Sequence, residues 1–409
     1  MVELSLTLEA LSPLSLHRDR ASAQFTSTLD YIPGSTLRGA LAGRYLQGDA
    51  ARAQDADFRA LFLDDQVLYP DLLPASNAGA PWRLAPSTAW ACKRYSAEHK
   101  DSVTDMLLRL ALAEALRRQG GINWLTPQRA VEDCPTCEAL YGAPRENRPR
   151  DRLGVVYAAT LDPTFLARKV NLRLLTGTAV DRATGAVASG LLFSQEVVDK
   201  GSYFFTGNLR LADTEAPRMQ ALLTERLAPL GTHLYLGHGR SRGLGHVKIW
   251  DWQLASTPTP SLEERWKNFN QTARKLWKRY GADPLPGPCF SLTLLSHLAL
   301  RDDGGQPVLD QIKPAHLGLP WVADWGWCSL AAVVIPGWNV AWGLPKADTW
   351  ALRRGSVLFG CVAPQDEAAT LFRLADLEAH GVGDRRAEGL GRLRTCDEFH
   401  YVFTNKEPK

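Results

Sequence analysis

No apolar run in this 409-residue chain reaches the ~18 residues that a membrane-crossing helix needs. The opening Met-Val-Glu-Leu-Ser-Leu-Thr-Leu-Glu also lacks the basic start and apolar stretch of a secretory signal, so the expected location is the cytoplasm, with no membrane partner. No Gly-x-x-x-x-Gly-Lys-Ser/Thr loop is present, which argues against a Walker-type nucleotidase, and no pair of acids stands out at metal-ligand spacing. An excess of one charge is missing too. The net charge is only +3, so a polyanion would have to be held by a local cluster of cations, not by the field of the whole molecule. Cysteine is sparse and odd in number, seven in all, which suits thiols or a metal better than a disulfide framework.

What is present is apolar material for two cores. With 45% hydrophobic residues over a length too great for one ordinary core, two domains are expected, at 1–255 and 289–409, joined by a linker at 256–288. Leu4, Leu6 and Leu8 alternate with Ser5, Thr7 and Glu9 and predict a half-buried strand. Ser35 reads as the N-cap of a helix that turns Leu37, Leu41 and Tyr45 inward. A second helix is expected over 103–118, and segments at 155–161, 172–180, 191–198 and 203–211 predict a β-meander before a helix over 214–230. In the linker, Leu262, Trp266, Phe269, Ala273, Leu276 and Tyr280 step by three or four along a helix. Its other face carries Arg265, Lys267, Arg274, Lys275, Lys278 and Arg279, a solvated basic face with RNA or subunit contact as the alternative. Cys289–Ser296 reads as an edge-like strand opening the second domain.

Each half ends on one plan of helix, glycine-rich loop and strand. The loops are Gly237-His-Gly-Arg-Ser-Arg-Gly-Leu-Gly245 and Gly381-Val-Gly-Asp-Arg-Arg-Ala-Glu-Gly-Leu-Gly391. Glycine lets backbone N–H groups come close to an anion, and arginine supplies charge on flat, forked donors, so the pattern points to phosphate and nucleic acid. A dinucleotide site would need a helix after such a loop, whereas here a strand follows. Arg240 and Arg242 are the expected phosphate grips, with Gly237, Gly239, Ser241 and Gly243 along the RNA path and Arg385 and Arg386 as a second set. Asp384 and Glu388 in the second loop can pair with its own arginines. Ser35, Thr36 and Arg38, at a helix N-terminus, form a further phosphate seat, with plain capping as the alternative.

Cys134-Pro-Thr-Cys137 has the spacing that lets two thiolates reach one metal, and Cys92 and His99 upstream complete a Cys₃His set. Such a closed set is the structural zinc type, here within an insertion at about 80–150. A redox pair is the rival, without the βαβ context it needs. Cys289, Cys328, Cys361 and Cys396 read as small core residues. Catalytic signals are few. His17, beside Arg18 and Arg20, is the most plausible base for metal-independent RNA cleavage, but a lone loop histidine is more often a hydrogen-bonding residue, and a binding protein, not an enzyme, is expected.

Ile32-Pro-Gly-Ser-Thr-Leu-Arg-Gly39, Asp181-Arg-Ala-Thr-Gly-Ala-Val-Ala-Ser-Gly-Leu-Leu-Phe193 and the Gly-Arg-Ser-Arg-Gly-Leu-Gly loop together resemble the RAMP superfamily of CRISPR-associated proteins. The resemblance implies an α+β fold of two tandem ferredoxin-like, RRM-type domains with antiparallel sheets. The second half is similar to the two-domain subunit that caps the crRNA 5′ end in type III effector complexes, and the Cys/His insertion to its type III-D version. That likeness implies a role in antiviral defence: binding the repeat-derived 5′ tag of crRNA, capping the backbone filament, and docking on the large polymerase-like subunit and the first backbone subunit. A repeat-RNA processing endoribonuclease of the same superfamily, with His17 as base, is the alternative.

Overall fold

The computed structural model describes residues 2–18, 24–75, 82–92, 103–119, 150–152, 157–158, 167–200, 204–212, 216–227, 232–254, 260–280, 284–339 and 343–404. It is mixed α+β, built on two antiparallel main sheets. The first contains β1 (Val2–Ala10), β2 (Val67–Leu68), β3 (Leu73–Ala75), β6 (Phe204–Leu211), β7 (His233–Tyr235) and β8 (His246–Leu254). Across the sheet the order is β7–β8–β1–β6, with β2 and β3 both on the far side of β6. Leu4, Leu6 and Leu8 of β1 are almost wholly buried, as their alternation requires, beneath Leu37 and Leu41 of α1 (Gly34–Tyr45) and Met219 and Leu223 of the helical segment α3 (Ala216–Ala221) and its π-helical continuation.

The expected meander does not form. Between β3 and β6 the chain makes β4 (Leu172–Val180) and β5 (Val187–Val198), which pair with each other and stand outside the main sheet. β6 joins β1 instead, through Val2↔Leu211 to Glu9↔Phe204. The side chains show why: Phe205, Leu209 and Leu211 give β6 one buried face, whereas Leu174, Val180, Val187, Leu191 and Leu192 of the hairpin are 54–63% exposed.

The second sheet runs β10 (Trp327–Ser329), β13 (Val357–Cys361), β9 (Cys289–Leu294), β14 (Leu393–Thr395), with a separate hairpin of β11 (Ala332–Asn339) and β12 (Leu344–Leu352). β9, expected at an edge, is central and buried at every position, because it is apolar or hydroxyl-bearing throughout and has neither a charge nor a proline to mark an edge. It also brings Cys289 opposite Cys361 of β13, Cα atoms 4.0 Å apart, and the two form a disulfide. Cys289 is a core residue as expected, but the pair corrects the expectation of thiols in place of a disulfide; a sequence separation of 72 hides a contact that only the strand register creates.

The second core draws on both ends of the chain. The linker helix α4 (Leu262–Arg279), started by a reciprocal Ser261–Glu264 capping box, lays Trp266, Phe269, Leu276 and Trp277 against β9 and β13. Beside them sit Leu107, Leu108 and Leu112 of α2 (Leu107–Arg118), a helix that lies within the 1–255 span in sequence. Arg265 leaves the basic face: it is buried, bidentate on Glu378 at 2.9 and 2.7 Å, and donates to the Thr395 carbonyl at 2.6 Å. Lys267, Arg274, Lys275, Lys278 and Arg279 remain exposed. Among the described residues no helix is long and apolar enough to cross a membrane.

Candidate nucleic-acid interface

The first glycine-rich loop is the tip of a hairpin. Tyr235 and His246 are paired across β7 and β8, and the residues between them form the loop, so a short strand precedes it as well as the strand expected after it. Gly239 and Gly243, with φ of 75° and 80°, bracket a single 3₁₀ turn made of Arg240, Ser241 and Arg242. Gly237 has φ of 71° and lies so close to the Ser15 carbonyl that a Cβ would overlap it, which fastens the loop to the segment carrying His17. Arg240, Ser241 and Arg242 are exposed, and among the described residues neither arginine has an acidic partner. The spelling Gly239-Arg-Ser-Arg-Gly243 also fits a hydrolase nucleophile elbow, but that serine needs a helix after it, and this loop joins two antiparallel strands.

His17 and His238 stack beside the turn, ring centres 3.7 Å apart and 4° from parallel. Burial, then His238 and the Arg242 guanidinium, push the His17 imidazole down to about 4; burial with Arg240 and Arg242 also lowers His238. Both rings are therefore neutral near pH 7. Arg18 is exposed and donates to the Thr28 carbonyl at 3.3 Å, while Arg20 lies outside the described residues. The stacking partnership of His17 and His238 is invisible in the sequence, where 221 positions separate them.

The second loop faces inward. α5 (Glu367–His380) runs straight into it, and Arg385, at φ 58°, turns back to bind Glu388 at 3.1 and 2.6 Å. The same carboxylate accepts from Arg38 of α1 at 3.2 Å and from Lys346 of β12 at 3.0 Å. Burial alone would raise Glu388, but Arg385 and Lys346 outweigh it and hold the carboxyl below its ordinary range. Arg386 reaches the His380 carbonyl at 3.5 Å.

This second loop covers the start of α1. The helix begins at Gly34 with Pro33 as its N-cap and has no side-chain cap, which corrects the assignment of Ser35 to that position. Gly34 N–H donates to Asp71 Oδ1 at 3.0 Å, and a Cβ on Gly34 would overlap the carbonyls of Tyr69 and Glu388. Gly389 also packs against this seam, its missing Cβ 2.9 Å from the Tyr69 oxygen, and Tyr69 N–H donates to the Ala387 carbonyl at 3.3 Å. Burial pushes Asp71 up to about 6, against the pull of Arg354, the Gly34 N–H and Arg392. Ser35 and Thr36 are half-buried beside this seam, and the Arg38 guanidinium is held by Glu388 and the Phe62 carbonyl.

Of the metal-ligating set, Cys92 is buried at the end of the short strand Ala89–Cys92, and His99, Cys134 and Cys137 lie outside the described residues. Among the described residues no group of three or more His, Cys, Asp or Glu is placed to hold a metal.

No curated protein matches the chain. A chain of the type III-B Cmr-beta complex bound to cognate target RNA and AMPPnP is 13% identical over 87% of this chain and 86% of its own, with a TM-score of 0.38. A chain of the Csm3–Csm4 subcomplex of a type III-A CRISPR–Cas interference complex is 11% identical over 90% and 96%, with a TM-score of 0.33. Oligomeric Cmr4 from Pyrococcus furiosus is 12% identical over 63% of this chain and 100% of its own, with a TM-score of 0.27. At such low scores the assignment rests on the family model, which matches residues 7–248, from β1 through the first glycine-rich loop and into β8. The chain belongs to the RAMP superfamily.

Proposed function

We propose that the chain is a non-catalytic RNA-binding subunit of a type III CRISPR effector complex. In this reading it holds the repeat-derived 5′ tag of crRNA, caps the backbone filament, and contacts the large polymerase-like subunit and the first backbone subunit. The observation that carries the RNA-binding role is the first loop: two exposed arginines without acidic partners among the described residues, on a turn bracketed by glycines and fixed at the end of a sheet. The tandem ferredoxin-like reading is supported by strand order, since β8–β1–β6–β2 and β14–β9–β13–β10 both place the fourth, first, third and second strands side by side. Domains at 1–255 and 289–409 fit that order, with α2 crossing from the first span to the second core.

The decisive test is retention of repeat-derived RNA over a salt series. Arg240→Ala with Arg242→Ala is expected to weaken binding and flatten its salt dependence, by about 0.7 in logarithmic slope for each phosphate left without its arginine. Unchanged affinity at every salt concentration would overturn the reading. The alternative, metal-independent cleavage of repeat RNA, has one observation in its favour, the His17–His238 stack beside Arg242. Site-specific cleavage without added metal, abolished in His17→Ala, would establish it in place of the non-catalytic role. Cys92, His99, Cys134 and Cys137 have the donor chemistry of a closed structural zinc site. Elemental analysis of the purified protein should find one zinc per chain, and its absence would remove that proposal.

A further inference from the structure

We infer that the solvent face of β7 and β8 is a stacking platform for the unpaired bases of a single-stranded RNA whose phosphates lie on Arg240 and Arg242. The inference rests on the RNA-binding role proposed above and adds a base-binding subsite to it.

Alternation sets the platform up. In β8, Val247 and Ile249 point into the core, which leaves His246, Lys248 and Trp250 on the opposite face; in β7, Leu234 points inward and His233 and Tyr235 outward. Pairing of His233 with Lys248 and of Tyr235 with His246 gathers these side chains into one patch. Tyr235 is 49% exposed and Trp250 51% exposed, large aromatic surfaces that a lone soluble chain leaves in water.

The patch is ordered before any ligand arrives. The Tyr235 and His246 rings are stacked, centres 4.9 Å apart and 13° from parallel, and His233 Nδ1 shares a hydrogen bond with His246 Nε2 at 2.8 Å. Trp250 donates from Nε1 to Glu9 Oε2 at 2.6 Å and packs edge-on against Phe204. The Lys248 ammonium lies 5.1 Å from the Trp250 ring centre. Rings held in this way lose little freedom when a flat partner lands on them, which favours a base over a flexible aliphatic side chain.

Charge and continuity identify the partner. Tyr235 and His246 are the two residues from which the Gly237–Gly245 loop springs, so the stacked pair forms the base of the arginine turn. A strand of RNA gripped at its phosphates by Arg240 and Arg242 has its neighbouring bases within reach of that pair. Duplex RNA keeps its bases stacked on one another and offers no such face, so the ligand class is single-stranded. The inner part of the same sheet face is already taken, since Arg210 of β6 donates to the Glu378 and Ala379 carbonyls and Arg392 to the Asn208 carbonyl, which leaves the β7–β8 edge as the open portion.

The test uses the full-length chain and fluorescently labelled oligouridine and repeat-derived RNA, each compared with an abasic strand of equal length. Tyr235→Ala and Trp250→Ala are expected to weaken binding of base-bearing RNA by roughly tenfold each, with the salt dependence unchanged and the abasic strand unaffected. Tyr235→Phe should bind as the parent does. If Tyr235→Ala and Trp250→Ala bind base-bearing RNA as the parent does while the Arg240/Arg242 variant loses affinity, the platform is overturned and the RNA-binding role stands. If the parent binds none of these strands, both fall together.

Discussion

The first glycine-rich loop puts its arginines into solvent with no acid among the described residues to meet them, whereas the second folds Arg385 back onto Glu388 and lays its backbone over the start of α1. Two loops of closely similar spelling therefore stand in opposite surroundings. The difference comes from two acidic residues and from position. Asp384 and Glu388 give the second loop internal anions, and its place at the seam between the halves supplies Arg38 and Lys346 as further cations for Glu388 to gather. A glycine- and arginine-rich loop thus signals close backbone approach to something, and acids within it leave its arginines committed to the protein itself, whereas a loop without them keeps its arginines free for an anion such as the phosphate proposed above.

The sharpest way to break the comparison is to remove the acid. Glu388→Ala leaves Arg38, Lys346 and Arg385 facing one another without their shared anion, and urea unfolding is expected to show a loss of about 3 kcal/mol. Its RNA affinity should stay within about twofold of the parent at temperatures where it remains folded. The reciprocal change, Arg240→Ala with Arg242→Ala, should leave the unfolding free energy within about 0.5 kcal/mol, since nothing in the described structure leans on those side chains. A stability loss comparable to that of Glu388→Ala would end the distinction between a binding loop and a structural one.

Smaller effects separate the two regions by the sign of their pH dependence. His17 titrates at about 4 in the folded chain, below its ordinary value of 6.5, so its contribution to stability is complete above 6.5 and is lost as pH falls through about 4. Asp71, beside the second loop, is raised to about 6 from 3.8, so its contribution is complete below 3.8 and is lost as pH rises through about 6. The temperature of thermal unfolding, followed from pH 4 to pH 8, should therefore rise less steeply with pH between about 4 and 6.5 in His17→Gln than in the parent, and more steeply between 3.8 and about 6 in Asp71→Asn. Identical profiles for both variants and the parent would show that neither site is buried as described.

Much of this was legible from spacing. The alternation of Leu4, Leu6 and Leu8, the three-and-four stepping of Leu262 to Leu276, and the glycines of both loops each report a local constraint, and each stands where that constraint puts it. What spacing does not report is the partner. β6 and β5 read as neighbours because they are consecutive, yet β6 pairs with β1. Cys289 and Cys361 face each other only because β9 and β13 do. Arg265 looked like one cation of a solvated face, and only the position of Glu378 on α5 shows it to be a buried cross-brace. In the site, Arg240 and Arg242 were legible because exposure needs no partner, while the His17–His238 stack and the closure of the α1 N-terminus by Glu388 and Gly389 depend on contacts between distant segments.

The placement of α2 has a consequence for how the chain is made. Leu107, Leu108 and Leu112 find their apolar surroundings among residues of α4, β9 and β13, which follow more than 150 positions later. At bacterial or eukaryotic rates of synthesis, that interval leaves an emerged apolar helix without its partners for roughly 10 to 50 s. Until then the nascent chain displays a surface that invites chaperones or early partners, and a ribosome-bound fragment ending near residue 255 should be stickier than the finished protein.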